Sequence, residues 1–425
     1  MPQAEFSTEA SPTGAVFLRR LGPGLITGAA DDDPSGIATY SQIGAQFGYG
    51  LAWTMLFSLP LMVVIQEISA RIGCVTGYGI ASNIRRHYSP WLVCGVVIVL
   101  FIANTINLAA DLGAMGAAVR LLIGGDSRLY TMLLGMLCVA LEIFIRYRTY
   151  AGLLKWLTLS LLAYVAVVFT VSIPWGAALR AIAVPHLAFN AETATAVVAV
   201  LGTTISPYLF FWQSSQEVEE RARRVSKPLC ITPRQAGPEL ARIRADTLVG
   251  MTVSNVVAIF IIFAAAATLH ASGITTIQTS AQAAEALRPI AGAFAFAVFA
   301  AGIVGTGLLA VPVLAGSAAY AVCEAFRWTQ GLDRRLREAK AFYATITVAT
   351  LLGAVLNFTA LDPVKALYWA AVVNGVLAAP VMAVMMIIAG NPRIMGRLTL
   401  PWSMTVVGWL ATAVMLLATI GFLLL

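Results

Sequence analysis

The chain has 425 residues, of which 59% are hydrophobic and only 11% charged, against roughly 25% charged in a typical soluble domain. Its mean hydropathy of +0.84 leaves too little polar surface for a soluble fold, five cysteines make no disulfide framework, and the apolar content excludes an intrinsically disordered chain. What remains is a polytopic integral membrane protein. It is helical rather than a barrel, because its apolar runs continue for about 20 residues instead of alternating over about 10.

The apolar runs predict eleven spans, at 22–43, 51–70, 91–122, 128–147, 152–174, 193–213, 245–270, 288–322, 341–360, 364–390 and 402–425. The third and eighth are too long for one perpendicular crossing of a ~30 Å hydrocarbon core and are expected to tilt or to extend beyond it. With the N-terminus in the cytoplasm, 22 of the 27 Lys and Arg fall on the cytoplasmic side, and only Arg120, Arg128, Arg180, Arg288 and Lys365 fall outside. The positive-inside rule therefore predicts a cytoplasmic N-terminal segment over 1–20 and, with an odd span count, an external C-terminus. That segment has no long apolar stretch, so no cleavable signal is expected. The net charge of +7 is thus topological and faces anionic lipid, and it calls for no nucleic acid. Cys74, Cys94, Cys138, Cys230 and Cys323 are scattered and read as small packing residues.

The first span holds the anomaly. Gly22-Pro23-Gly24 opens an apolar run that meets Asp31, Asp32 and Asp33, followed by Pro34, Ser35 and Gly36. A charge in a membrane helix costs about 2.5–3.5 kcal/mol on insertion scales, so three in a row cannot face lipid. Pro34 cannot continue a helix, and Gly36 permits almost any backbone angle. A broken helix in mid-membrane is predicted, and such backbone survives only when buried in protein or lining a wet cavity. Freed carbonyl oxygens beside carboxylates make a cation site. The alternative, acids in an external loop capping a helix from residue 35, leaves about ten residues from Leu21 to Ala30, too few to cross.

A second break is predicted in the sixth span, where Leu201-Gly202-Thr203-Thr204-Ile205-Ser206-Pro207-Tyr208 places a proline behind three hydroxyls. Taken singly, the hydroxyls read as helix packing and the proline as a kink. The positions of the two breaks add meaning, because each opens a set of five spans, 21–174 and 193–390, with 402–425 as an eleventh. Interrupted segments at corresponding positions of two halves point to a transporter site. Five spans per half force opposite orientations if the halves are related.

At these residues the chain resembles the Nramp divalent-metal transporters, which implies the LeuT-type fold: an all-α membrane protein of eleven helices, a 5+5 inverted repeat with helices 1 and 6 broken. The likeness rests on Gly22-Pro-Gly, Asp33-Pro-Ser-Gly, "ATYSQIGAQFGYGLAW", "ISARIGCVTG" from Ile68 to Gly77, "LGTTISPY" and "RADTLVGMTVSNVV". It implies a bacterial inner-membrane location, divalent metal as substrate, no cofactor and no enzymatic activity. No feature specifies an oligomeric state. The family's usual Asp-Pro-Gly-Asn is here Asp33-Pro34-Ser35-Gly36, so the asparagine ligand becomes glycine. Its Met-Pro-His is here Ser206-Pro207-Tyr208, and the carbonyl ligand three residues earlier falls on Thr203. The acids that the family links to proton transfer in the third span fall on Asn107 and Ala110, with a displaced acid at Asp111. The later histidine of the sixth span falls on Gln213.

These departures point one way. A thioether favours softer transition metals. Ser206 beside Asp33 and Asp32 makes an all-oxygen site suited to Mg²⁺, Ca²⁺ or Mn²⁺, and a related branch of magnesium transporters also lacks the methionine. Asp31, Gly36, Thr204, Tyr208 and Asn374 are the expected surround, Asn374 serving either in ion occlusion or in helix packing, and Asn255 likewise. Neither Asn107 nor Gln213 carries a proton at neutral pH, and His87, His186 and His270 lie away from the midplane. Weak or absent proton coupling is therefore expected, with Asp111 and Asp31 the acids able to restore it. Glu142 and Glu67 sit four residues before Arg146 and Arg71, a spacing that helix ion pairs explain. The competing readings are an organic-cation carrier on the same scaffold, a channel using the same acids, and an intramembrane enzyme, for which the chain offers neither nucleophile–base pair nor His-Glu-x-x-His.

Overall fold

The structure is a computed structural model that describes residues 23–145, 161–185, 188, 190–224, 226–358 and 363–424. The segment 1–20, Gly22, the start of the fifth span, His186, Arg146, Arg148 and Lys155 lie outside the described residues.

The described residues form helices and no strand. The first span is two helices, α1 (Pro23–Asp31) and α2 (Pro34–Phe47). Then come α3 (Trp53–Thr76), the short α4 (Ile80–His87), α5 (Pro90–Ile123) and α6 (Ser127–Phe144). The described part of the fifth span is α7 (Leu162–Thr170), followed by α8 (Trp175–Ala183). The sixth span is again two helices, α9 (Ala191–Thr204) and α10 (Pro207–Arg223). The rest runs α11 (Ala236–Thr268), α12 (Ser280–Glu285), α13 (Arg288–Ala291), α14 (Ala295–Phe326), α15 (Lys340–Leu356), α16 (Pro363–Gly390), α17 (Pro392–Met395) and α18 (Trp402–Leu424). With α9 and α10 counted as one, eight of these are long and apolar enough to cross a membrane. The split first span, the partly described fifth and the 17-residue α15 complete the eleven expected.

Three boundaries differ from the sequence expectation by seven residues or more; the sixth span runs to Arg223 rather than 213. The eighth span starts at Ala295 rather than 288, because Gly292 adopts φ +50° and separates α13 from α14. The seventh starts near Ala236 rather than 245. Its first turns carry Glu239, Arg242 and Arg244; Arg242 pairs with Glu217 and Glu239, and Arg244 with Glu67, so the helix continues past the apolar run. The 34-residue α5 is about 50 Å long at 1.5 Å per residue, which fits the expected tilt or extension.

Glycine lets both broken helices approach their partners closely. A Cβ on Gly28 would lie 2.3 Å from the carbonyl carbon of Gly250 in α11. A Cβ on Gly202 in α9 would lie 2.0 Å from the Ala371 carbonyl oxygen in α16. Small residues at helix contacts are how membrane helices gain close packing without a hydrophobic drive. Because the obstacle is backbone, Gly28→Ala is expected to cost at least about 1–3 kcal/mol, seen as a lower melting temperature of the purified protein.

Ion pairs join the ends of α3, α10, α11 and the segment after α14 on one face: Arg244–Glu67 at 3.5 Å, Arg242–Glu217 and Arg223–Asp333 at 2.5 Å, and Arg224–Glu239 at 3.5 Å. These residues belong to the loops that the charge count groups together.

Candidate metal site

Asp32 and Asp33 fall between α1 and α2, where the sequence places the break. Asp33 caps α2: its Oδ1 accepts from the Gly36 N–H and from Ser35 Oγ, both at 2.7 Å. An N-cap carboxylate is favoured by the helix dipole and satisfies an otherwise orphan N–H. Gly36 therefore serves through its backbone. Tyr208 opens α10 and turns its hydroxyl to the break, 3.3 Å from Asp33 Oδ2 and 3.3 Å from the Ala30 carbonyl oxygen. Its single proton serves one acceptor at a time.

Asp31 and Asp32 turn toward α11. Ser254 Oγ lies 2.8 Å from Asp31 Oδ2 and 3.1 Å from Asp32 Oδ1. The other oxygen of Asp31 is buried with no hydrogen-bond partner. All three acids are nearly inaccessible, with 1, 6 and 2% of their surface exposed. Their carboxylates do not gather as a trio within 4.8 Å, an arrangement found among the described residues at Cys74, Glu217 and Glu239 instead. That other trio already carries positive charge: Arg242 reaches Glu217 at 2.5 Å and Glu239 at 3.0 Å, and Arg221 Nη1 lies 3.9 Å from Cys74 Sγ.

The second break leaves Ile205 and Ser206 between α9 and α10. Ser206 Oγ sits 2.7 Å from the Gly202 carbonyl oxygen and 3.0 Å from that of Thr203. It thereby closes the last turn of α9, while its oxygen lone pairs stay free to accept a cation. Thr204 donates back to the Val200 carbonyl at 3.1 Å and stays with its own helix. Asn374 is buried in α16 next to Gly375, which meets Gly202 one residue before Thr203. It thus lies by the last turn of α9, and no hydrogen bond links it to the aspartates among the described residues.

Asp111 is fully buried in α5, close enough to interact with Asp33 and to face the Ser35 backbone, and neither carboxylate oxygen has a hydrogen-bond partner. Asn107, one turn earlier, is also fully buried with its amide atoms unpartnered. Gln213 lies elsewhere: its Oε1 accepts from Gln66 Nε2 at 2.5 Å, and its Nε2 donates to Thr247 Oγ1 at 3.0 Å. It is a neutral plug between α3, α10 and α11. His270 lies away from the acids, its Nδ1 2.8 Å from the Ala45 carbonyl oxygen. Glu67 and Arg71 approach to 4.0 Å, and Arg244 also reaches Glu67.

Sequence reasoning missed four residues. Ser254 binds two of the aspartates. Tyr40 is fully buried with its ring beside Gly36 at the break, and its hydroxyl has no hydrogen-bond partner. Gln66 completes the amide plug. Asp246 caps α1 from 222 residues away, its carboxylate accepting from the N–H of Gly24 at 2.8 Å and of Leu25 at 3.1 Å. The available signal was the four-residue spacing of Asp246, Gly250 and Ser254, which places them on one helix face; Tyr40 and Gln66 carried none. Removing this cap orphans two buried donors, a loss of about 1–3 kcal/mol each. Asp246→Ala is expected to speed hydrogen–deuterium exchange across residues 23–31 at least roughly tenfold.

The amide plug and the Asp246 cap lie between the carboxylates and the basic face. From the other side a cavity of about 330 Å³, lined by Gln42, Gln46, Glu192 and Lys365 among others, leads toward a narrow cleft bounded by Ile37 and Ser41. Ser41 lies under two turns beyond Ser35 on α2. The arrangement is a buried, oxygen-rich cluster of carboxylates and hydroxyls beside two helix breaks.

Three comparisons bear on this cluster. The chain is 28% identical over 410 residues to the divalent metal cation transporter MntH of Klebsiella pneumoniae (strain 342), covering 94% of this chain and 92% of that protein. It is 30% identical over 304 residues to the protein of the same name from Yersinia enterocolitica, covering 69% of each. The fold matches a manganese transporter of Eremococcus coleocola with a TM-score of 0.74 at 16% identity, over 98% of this chain and 89% of that one. The nucleobase-cation-symport-1 family transporter Mhp1 matches with a TM-score of 0.51 at 14% identity, over 95% and 91%. The all-α, LeuT-type architecture expected from the sequence is therefore the observed one. The family model for natural resistance-associated macrophage protein-like proteins, Nramp, matches residues 24–425, and the chain belongs to that family.

Proposed function

We propose that this protein carries a hard divalent cation, Mg²⁺ or Mn²⁺, across a bacterial inner membrane by alternating access, with little or no proton movement. One observation carries the reading: a buried carboxylate, Asp33, stands at the break of α1 and α2, with oxygen donors on the break of α9 and α10 opposite it. The Thr203 carbonyl and the Ser206 hydroxyl are the donors from that second break, and Asp31 and Asp111 add negative charge around the same site. Several buried carboxylates with no Lys or Arg paired to them among the described residues favour a cation from outside.

The names of the relatives support a divalent metal as substrate, and one structural neighbour is named for manganese. Ser206 in place of a thioether supports the hard end of the divalent series. Support for weak proton coupling comes from Asn107 and Gln213, which are neutral; Gln213 is also fixed by two hydrogen bonds. Asp111 and Asp31 are the acids left to carry a proton. We place the basic face in the cytoplasm, the C-terminus outside, and the two sets of five spans as the halves that move about the site. The test is flux of Mg²⁺ and Mn²⁺ into proteoliposomes that hold an internal pH dye. Flux of either ion without matching acidification fits the proposal. Stoichiometric acidification removes the uncoupled reading, and silence for both ions gives the lead to an organic cargo.

A further inference from the structure

A second cavity, unrelated to the metal site, lies between α4 and the end of α14. It has a volume of about 490 Å³, and its lining includes Tyr78, Ser82, Arg85, Arg86, Arg327 and Trp328. That size is in the range of small-ligand sites. Its chemistry is one-sided. None of the three arginines has a carboxylate within 4.0 Å among the described residues. The Nε of Arg85 is buried without a hydrogen-bond partner. The acid in the lining, Glu324, is already engaged: Oε2 accepts from the Ser82 N–H at 2.9 Å, and Oε1 accepts from Ser215 Oγ at 3.0 Å and Gln330 Nε2 at 3.2 Å. Three arginines thus share one cavity with a single carboxylate, and none of them is ion-paired to it.

The arginines are also held in place. Arg86 stacks over the Tyr78 ring at 3.5 Å from its centroid. Trp328 is stacked on Phe326 with centroids 5.0 Å apart. Arg327 ends α14 at φ +62°, the one non-glycine residue with positive φ among the described residues. Glycine takes that left-handed helix-end position at lower cost than any other residue. Strain retained at a single arginine, beside two more facing the same space, points from structure toward a ligand.

We propose that this cavity binds a phosphate group, carried by an anionic lipid headgroup or by a soluble phosphate. Planar guanidiniums pair with phosphate oxygens through two parallel hydrogen bonds, and basic pockets between membrane helices suit phosphate headgroups. Bound there, the anion joins α4 to the end of α14 beside Glu324, whose hydrogen bond to Ser215 already ties that corner to α10. Binding therefore raises the melting temperature of the whole chain by mass action on the folded state.

The experiment measures melting by intrinsic fluorescence of the full-length protein in neutral detergent. One arm titrates inorganic phosphate against chloride at equal ionic strength. The other adds phosphatidylglycerol against phosphatidylcholine. The expected result is a saturable rise with at least one of the two anions, whose half-saturating concentration increases at least tenfold in Arg85→Gln and in Arg327→Gly. The second variant relieves backbone strain, so loss of binding there is not loss of fold; Arg86→Gln stands in if Arg85→Gln does not purify. A response to phosphatidylglycerol alone assigns the lipid, and a response to inorganic phosphate assigns the soluble anion. The proposal is overturned if neither anion shifts melting, or if the variants respond as the unmodified protein does.

Discussion

Asp33→Asn is expected to abolish divalent-cation flux, by at least about 100-fold, while leaving the protein folded. The substitution separates two roles of one side chain. As an N-cap, asparagine is as good as aspartate, so the bonds from Gly36 and Ser35 to Oδ1 survive in kind and α2 keeps its start. As a cation ligand, asparagine has lost the charge. Metal-induced stabilisation should vanish with the flux, while melting without metal moves by no more than a few degrees. Retained flux in Asp33→Asn would place the transported ion elsewhere in the molecule.

Ser206→Met is expected to turn the selectivity of the site toward softer ions. The present hydroxyl closes α9 through the Gly202 and Thr203 carbonyls and offers a hard oxygen. A thioether offers sulfur, which softer transition metals prefer. The ratio of Cd²⁺ to Mg²⁺ transport should rise roughly tenfold or more, the equivalent of about 1.4 kcal/mol in relative affinity. It is measured by competition in the same vesicles. An unchanged ratio with flux retained would mean that residue 206 does not touch the ion, and the argument from hard ligands would fall with it.

The parts of the site that were legible in the sequence are those set by local chemistry. Pro34 after three aspartates and Pro207 after three hydroxyls each stop a helix by steric and hydrogen-bonding rules that need no neighbours, and both breaks fall where those rules put them. The parts that were not legible depend on which face of one helix meets another. Ser254 lies on α11 on the same face as Asp246 and Gly250, at four-residue spacing, but nothing in the sequence says which helix that face meets. The role of Asp246 as the cap of α1 exists only once α11 lies against Gly24 and Gly28. The same limit governs Asp31 and Asp32. Adjacent positions on a chain leave a helix in different directions, and only packing brings Ser254 between them. The eighth span was misplaced at its start for a local reason, since Gly292 ends a short helix inside a continuous apolar run.

The central claim is that a divalent cation sits between the two helix breaks, and anomalous X-ray diffraction from crystals soaked in Mn²⁺ tests it most directly. The account predicts one strong peak within bonding distance of an Asp33 carboxylate oxygen, the Thr203 carbonyl oxygen and the Ser206 hydroxyl, lost in Asp33→Asn. A peak at Cys74, Glu217 and Glu239 with none at the breaks would contradict it.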